Sequence, residues 1–192
     1  MKKQPSPARN AGRTQSAARA DLNTIPEPPP IVGVGASVGG LEAAGARVGA
    51  GILLRGMVDS YPEFQPTKAR IQIHEEIPLV MASEAGLTQC FSHLLGHAVK
   101  FVKPGELPRV DIRAERREGW IRLWFEDQGI GIRKETLARA FDMFSRGEKS
   151  YEGTGIGLAL VRKVMERMGG TVGVESEEGK GSRFWLGLRP GI

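Results

Sequence analysis

The sequence predicts an α/β fold, because strand-like and helix-like segments alternate along most of its 192 residues. Residues 110–115 and 120–126 alternate between apolar and polar side chains and flank a polar turn, which indicates a β-hairpin. Residues 87–99 carry apolar side chains at helical spacing, and residues 156–168 form a second such pattern that ends at two glycines. An apolar content of 40% allows a sizeable core.

The N-terminal part differs in composition from the rest of the chain. Residues 1–30 are rich in proline and arginine and poor in large apolar side chains, so we expect a disordered tail. This tail has five basic and two acidic residues, a balance of +3 within a net charge of +5 for the whole chain. Because the excess lies mainly on the tail, we expect a solvated arm and no nucleic-acid partner.

The other elements follow from local signals. Residues 31–35 form a short apolar strand, residues 36–40 a glycine-rich turn, and residues 41–61 a segment of helical composition. The elements predicted beyond a polar break are strands at 70–74 and 79–82, a helix N-cap region at 83–86, a short helix at 134–141, a glycine- and charge-rich loop at 145–155, and a strand pair at 171–175 and 183–188.

Cysteine content and hydropathy indicate the cellular compartment in which the protein is expected. The single cysteine, Cys90, excludes an intramolecular disulfide and is compatible with a reducing compartment. No secretory signal is recognisable, since proline, arginine and asparagine stand where an apolar run would be needed. The best candidate for a membrane span, residues 31–58, is interrupted by Glu42, Arg47 and Arg55. We therefore expect a cytoplasmic protein without a membrane span.

Three segments carry residues suited to binding chemistry. Residues 127–132, DQGIGI, follow a strand, so the Asp127 carboxylate is placed to accept a hydrogen bond, and the glycines allow close backbone approach. Residues 153–158, GTGIGL, open a helix whose free N–H groups suit phosphates. The helix at 87–101 carries a polar stripe made of Gln89, His93, His97 and Lys100.

The order of these motifs resembles the ATPase domain of sensor histidine kinases, from about residue 53 to residue 188. In that comparison, residues 87–101 match the N box, residues 127–132 the G1 box, residues 141–144 the F box and residues 153–158 the G2 box. The F box distinguishes this branch from the gyrase, chaperone and mismatch-repair ATPases. The resemblance implies a two-layer α/β sandwich over residues 62–192, in which helices cover one face of a mixed sheet.

The resemblance also implies binding roles for individual residues. Asp127 would bind the adenine amino group of ATP or ADP. Residues 145–154 would form a lid, and Lys100 would approach the phosphates. The other residues that the resemblance places at the nucleotide are Gly129, Gly131, Phe144, Gly153, Thr154, Gly155, Gly157 and Leu158. In the family, the γ-phosphate passes to a histidine of a helical dimerisation domain, with magnesium neutralising charge.

The N box departs from the family pattern NLLxNAxKF, because both asparagines are histidines, His93 and His97. His97 stands where the magnesium ligand is expected, and magnesium prefers oxygen. We therefore expect weakened magnesium-dependent turnover with nucleotide binding retained. The two histidines could alternatively bind a transition metal, although no third ligand is evident nearby.

The histidine outside the N box, His74, stands in a strand-like stretch, and no dimerisation helix pair with a phosphoacceptor histidine is recognisable, which leaves two interpretations open. One is an impaired protein histidine kinase that acts on a dimerisation domain, or signals to a response regulator, in trans. The other is a nucleotide-binding module without turnover. The sequence does not decide whether the chain is an enzyme.

Residues 31–44 resemble the opening strand and turn of the chemotaxis protein-glutamate methylesterase domain, with Ser37 at the position of the nucleophile. The histidine and acid that such a serine needs are missing, so we expect no esterase activity. A Rossmann turn is the other interpretation, but no second βαβ unit follows. Methylesterase–methyltransferase–kinase fusion proteins combine both resemblances. The chain resembles the two ends of such a protein, joined between residues 43 and 54, by deletion or by an assembly error.

Overall fold

The computed structural model describes residues 45–74, 76–143 and 155–192. One sheet of seven strands carries helices on one face. In chain order the elements are β1 (Ala46–Val48), α1 (Ala50–Ser60), a 3-10 turn (Pro62–Phe64), β2 (Arg70–Ile73), β3 (Val80–Ala82), α2 (Glu84–Lys100), β4 (Arg109–Arg117), β5 (Trp120–Asp127), α3 (Lys134–Leu137), α4 (Gly157–Arg167), β6 (Thr171–Glu177) and β7 (Gly181–Pro190).

The sheet is mixed, with β7 near its centre. The strand order is β1-β3-β7-β5-β4-β2, and β6 also pairs with β7. β2 and β4 run parallel, whereas the other pairs are antiparallel. β5 takes one edge of β7, so β6 and β3 share the other edge, opposite residues 181–187 and 189–190 respectively.

Local chemistry sets the boundaries of several elements. The β4–β5 turn places Glu118 at φ 51° and Gly119 at φ 79°, the pair of left-handed residues that a two-residue hairpin turn requires. The Ser83 hydroxyl accepts a hydrogen bond from the Gly86 amide at 3.3 Å and so caps α2, as the sequence predicts. The strands at 70–74, 79–82, 171–175 and 183–188 and the helix at 156–168 are confirmed within a few residues at their ends.

The core lies between the sheet and the helices α1, α2 and α4. Alternate strand residues point into it, and each of these three helices contributes one apolar side. Its largest fully buried side chains are Phe91, Phe125, Phe184, Leu54, Leu87, Leu94, Leu95, Ile112, Ile121, Leu123, Met165 and Leu186. This arrangement confirms the expected two-layer α/β sandwich. In the described residues, no helix combines the length and apolar composition that a membrane crossing requires.

Two segments differ from the sequence-based expectations. Residues 41–61 have helical composition, yet residues 46–48 form an edge strand and the helix begins only at Ala50. Pairing with β3 and burial of Val48 outweigh helix propensity there. This strand and α1 precede the expected domain start at residue 62, yet the strand contributes Val48 and the helix contributes Leu54 and Met57 to the same core. The helix expected at 134–141 ends at Leu137 and continues as turns.

Candidate functional site

Asp127 ends β5 as a buried carboxylate that uses only half of its hydrogen-bonding capacity. Its Oδ1 accepts hydrogen bonds from the amides of Gly129 at 2.9 Å and Ser182 at 3.1 Å. Its Oδ2 is buried and has no hydrogen-bond partner among the described residues. Burial raises the pKa of Asp127 to about 6, although the two backbone hydrogen bonds favour the ionised form. An ionised, orphaned acceptor at a strand end fits a ligand that donates a hydrogen bond.

Gly129 and Gly131 allow the loop after β5 to lie directly against neighbouring backbone. A Cβ on Gly129 would lie 2.1 Å from the carbonyl oxygen of Phe101, and one on Gly131, at φ +70°, would lie 2.1 Å from that of Glu177. The Ile130 amide donates to the Phe101 oxygen at 2.9 Å. The glycines therefore fix the loop against the end of α2 and the β6–β7 turn, a reason for their size that the sequence alone did not give.

Sequence reasoning missed the residues that support Asp127 from β7. The Ser182 amide holds Oδ1, and Gly181, at φ +94°, has no room for a side chain because a Cβ would lie 2.0 Å from the Asp127 carbonyl oxygen. The Ser176 hydroxyl accepts the Ile132 amide at 2.8 Å and thereby holds the far end of the loop. Gly181 and Ser182 directly precede the strand predicted at 183–188, but their contact with Asp127 depends on strand register.

His97 lies on the side of the site formed by α2. Its ring centroid is 4.3 Å from that of Phe101 and 5.0 Å from that of Phe184. Its Nδ1 is buried, and no residue that the structure describes forms a hydrogen bond with it. Burial, and secondarily the charge of Lys100, lowers the pKa of His97 to about 4, so the imidazole is neutral near pH 7. The neutral His97 ring therefore places a polar nitrogen between two phenylalanine rings.

His93, a residue of α2, packs against the start of α4. A Cβ on Gly157 would lie 3.2 Å from the Nδ1 atom of His93, so the ring sits against the first turn of that helix. Burial lowers the pKa of His93, which favours the neutral form beside the positive end of the helix dipole. Lys100 is exposed, with its Nζ 5.9 Å from the Phe101 ring centroid. The α2 stripe thus reaches the helix start that the sequence assigns to phosphates.

The donor atoms of this site do not fit magnesium. His93 and His97 supply imidazole nitrogens where an amide oxygen is expected, and magnesium prefers oxygen ligands. Within residues 45–74, 76–143 and 155–192, no three His, Cys, Asp or Glu side chains are grouped to hold any metal ion. The chemistry of this N box therefore favours hydrogen bonding over metal coordination.

The remaining site residues divide into described and undescribed ones. Gly155 has φ +68° and precedes α4, whereas Leu158 is partly buried and packs against the core. From the F box, Phe141 lies 6.5 Å from Phe184, centroid to centroid. Ser37, Phe144, Gly153, Thr154 and the rest of the expected lid lie outside the described residues.

Asp127 and His97 are expected to give opposite pH dependences of stability. The raised pKa of Asp127 stabilises the fold below about pH 4, and this contribution is lost as the pH rises through about 6. The lowered pKa of His97 stabilises the fold above about pH 6.5, and this contribution is lost as the pH falls towards about 4. Acidification from about pH 6.5 to 4.5 should therefore destabilise Asp127→Asn, and stabilise His97→Asn, relative to wild type by on the order of 2 kcal/mol. Urea unfolding at both pH values measures these changes. The same change in unfolding free energy with pH in both variants would contradict the prediction.

The fold and the strand-end carboxylate define the class of protein. The protein family described as "Histidine kinase-, DNA gyrase B-, and HSP90-like ATPase" matches this chain over residues 82–192, which is more than half of its length. The chain therefore belongs to this ATPase family. Its domain is homologous to the ATP-binding catalytic domains of sensor histidine kinases.

Two curated relatives illustrate the similarity. The sensor histidine kinase AruS of Pseudomonas aeruginosa is 44% identical over 111 residues, which cover 54% of this chain and 11% of that protein. Cyanobacterial phytochrome A of Nostoc sp. is 38% identical over 120 residues, covering 62% of this chain and 16% of that protein. The chain thus spans a small fraction of the length of the curated relatives it matches.

Solved structures give the same fold. Full-length ShkA in complex with AMPPNP matches 77% of this chain and 31% of its own, with a TM-score of 0.62 and 30% identity. The catalytic domain of histidine kinase ThkA matches 78% of this chain and 97% of its own, with a TM-score of 0.63 and 22% identity.

Proposed function

We propose that this domain binds ATP or ADP with the adenine amino group on Asp127 and the phosphates at the start of α4, and that it does so without needing magnesium. The observation that carries the proposal is the buried, unpartnered Oδ2 of Asp127. An acceptor left unpaired inside a protein costs free energy that a ligand donor regains on binding. The fixed Oδ1 leaves only this second oxygen for the ligand.

The proposed phosphate side uses α4 and the polar stripe of α2. The first turn of α4 presents backbone N–H groups that have no acceptor within the helix, together with the positive end of the helix dipole. His93 adjoins this turn as a neutral ring that can donate one hydrogen bond to a phosphate oxygen. Lys100 is exposed at the end of the same stripe and supplies a positive charge. Gly153, Thr154 and Phe144 complete the site in this proposal.

Phosphoryl transfer to a histidine of a partner dimerisation domain is the reaction class that we propose for this domain. Transfer of this kind depends on positioning and on neutralising the charge of the phosphates. His93 and His97 supply no oxygen donor for magnesium, so charge neutralisation would fall to Lys100 and the helix start. We therefore propose that turnover is impaired while nucleotide binding persists.

Titration of the full chain with a fluorescent ATP analogue tests this proposal. We expect binding whose affinity is the same in magnesium and in EDTA, because no side chain of the N box favours the metal. In the His93→Asn, His97→Asn variant, which restores both amide oxygens, magnesium should strengthen binding and raise ATP hydrolysis by about 10-fold or more. Failure of the wild-type chain to bind the analogue would refute the nucleotide site. Wild-type hydrolysis in magnesium equal to that of the variant would refute the impairment.

A nucleotide-binding module without turnover is the second candidate. The low pKa of His97 favours it, because a ring that stays neutral near pH 7 brings no charge to a developing negative centre. Such a module would act by binding a histidine kinase dimerisation domain or a response regulator in trans. Binding without detectable hydrolysis, in wild type with or without magnesium, would favour the module over the impaired kinase.

A further inference from the structure

The face of the sheet opposite the helices is built from arginine and tryptophan side chains. Trp124 is only 4% exposed although no helix of the described residues covers this face. Three guanidinium carbons surround its ring, those of Arg113 at 5.6 Å, Arg122 at 5.5 Å and Arg183 at 4.7 Å from the centroid. Stacked arginines therefore cover the aromatic side chain that a second helix layer would otherwise bury.

One end of this face is internally neutralised. Glu126 pairs with Arg113 and lies 3.3 Å from Arg183, and Arg183 also lies 3.2 Å from Glu175. One row of the sheet therefore combines guanidinium groups and carboxylates in near balance. Both arginines there are already paired with carboxylates, so this end offers little attraction to an acidic partner.

The other end keeps more of its positive charge, since Glu115 lies opposite Arg122 on β4 but accepts the indole N–H of Trp124 at 3.0 Å. Arg122 stacks 4.4 Å above the centroid of Trp185, and Arg189 stacks 3.8 Å above that of Trp120. Neither guanidinium has a carboxylate within ion-pair distance in the part of the chain that the structure describes. A guanidinium has five N–H donors, more than the ring face beneath it can engage. We call Trp120, Arg122, Trp185 and Arg189 the basic end.

We propose that the basic end is a docking surface for an acidic segment of a partner protein, whose carboxylates bind the N–H groups of Arg122 and Arg189. Tryptophan and arginine are the residues that most often carry binding energy at protein interfaces. Stacking holds both guanidiniums in place before the partner arrives, which lowers the entropic cost of binding. The partner's carboxylates would supply the ion pairs that this end lacks.

Charge and geometry favour this occupant over three others. The chain's own tail, residues 1–30, is basic, so the basic end would repel it. A second copy of the chain would offer the opposite end of the same face, where Glu126 and Glu175 are already paired. A single-stranded nucleic acid would need bare ring faces for stacking, but Arg122 and Arg189 cover those of Trp185 and Trp120.

Fluorescence anisotropy of the full chain with a fluorescein-labelled peptide of alternating glutamate and alanine tests the proposal. We expect the Arg122→Glu, Arg189→Glu variant to bind the peptide at least about 10-fold more weakly, because two charge-assisted hydrogen-bonding groups become repulsive. Arg122→Gln, Arg189→Gln should show a smaller loss in the same direction. If the charge reversal prevents folding, this second variant still tests the surface, because glutamine keeps a side chain over each ring.

A matched control separates the surface from net charge. Lys68→Glu, Lys163→Glu makes the same change in charge at two exposed lysines outside the face, so we expect peptide affinity near that of wild type. The basic tail is present in every variant and cancels from the comparison. A cooperative thermal unfolding transition like that of wild type, together with binding of the ATP analogue, verifies that each variant is folded.

Several outcomes would overturn the proposal. An equal loss in the lysine control would mean that only net charge matters. Tighter binding of oligo(dT) than of the peptide, with the same dependence on Arg122 and Arg189, would identify a nucleic-acid surface. Self-association abolished by the arginine variants would identify a second copy as the occupant. Failure of the wild-type chain to bind the peptide would leave the stacked arginines with a purely structural role.

Discussion

Replacing Asp127 by asparagine should weaken ATP binding by roughly 10- to 100-fold. The amides of Gly129 and Ser182 both donate to Oδ1, so the asparagine oxygen must take that position. Its NH2 group then replaces Oδ2 and faces the amino group of adenine, donor against donor. Competition against a fluorescent ATP analogue measures the loss, and an asparagine variant that binds ATP like wild type would exclude this role for Asp127.

Base preference gives the same substitution a second readout. ITP carries a carbonyl oxygen where ATP carries the amino group, so wild type should prefer ATP and Asp127→Asn should lose most of that preference. Asp111→Asn is the matched control, because Asp111 is a partly exposed carboxylate on the neighbouring strand that pairs with His74. That variant should bind both nucleotides as wild type does. Loss of ATP binding in the control as well would point to a general effect on the sheet.

Gly129→Ala is expected to lower the free energy of unfolding by about 3 kcal/mol or more, at or above the usual cost of overpacking. The added methyl group would lie 2.1 Å from the Phe101 carbonyl oxygen and 2.9 Å from Oδ1 of Asp127. The first of these is a backbone atom that also accepts the Ile130 amide, so neither the loop nor the end of α2 can yield without losing that hydrogen bond. Urea unfolding measures the change.

Gly56→Ala makes the same chemical change with the opposite expected sign. Gly56 lies on the exposed side of α1, and in the described residues no atom apart from the adjoining helix backbone lies within 4 Å of the position its Cβ would take. Alanine should therefore stabilise the protein by roughly 0.5–1 kcal/mol through helix propensity. Similar unfolding free energies for the two variants would show that the Gly129 loop is looser than its contacts indicate.

The elements that could be predicted from the sequence are those with a local signal. The α2 helix has apolar side chains at helical spacing and a serine cap, and the β4–β5 hairpin has alternation and a turn. The edge strand at residues 46–48 had no such signal, because it is three residues long and depends on pairing with β3. The order of strands in the sheet could not be predicted either, because the sequence of one strand does not determine which other strands pair with it.

The site could be predicted in part for the same reason. Asp127 stands out because a carboxylate and two glycines follow a strand, and this pattern is local. Its fixed orientation depends on Ser182, which comes next to it only through the register of β5 and β7. The stacking of Arg122 on Trp185 depends on the same register, so the basic end was not foreseen.

The place of β7 in the sheet has a consequence for how fast the chain reaches its native state. This strand comes after all the others in sequence, yet β3, β5 and β6 all pair with it. Until β7 docks, β1 and β3 have only each other, and two short strands alone are marginal in water. Bringing Val80 next to Pro190 closes a long loop before that contact is gained, which slows folding. Refolding of the sheet is therefore expected to be limited by the arrival of its last strand, with the early strands exposed to misassociation while they wait.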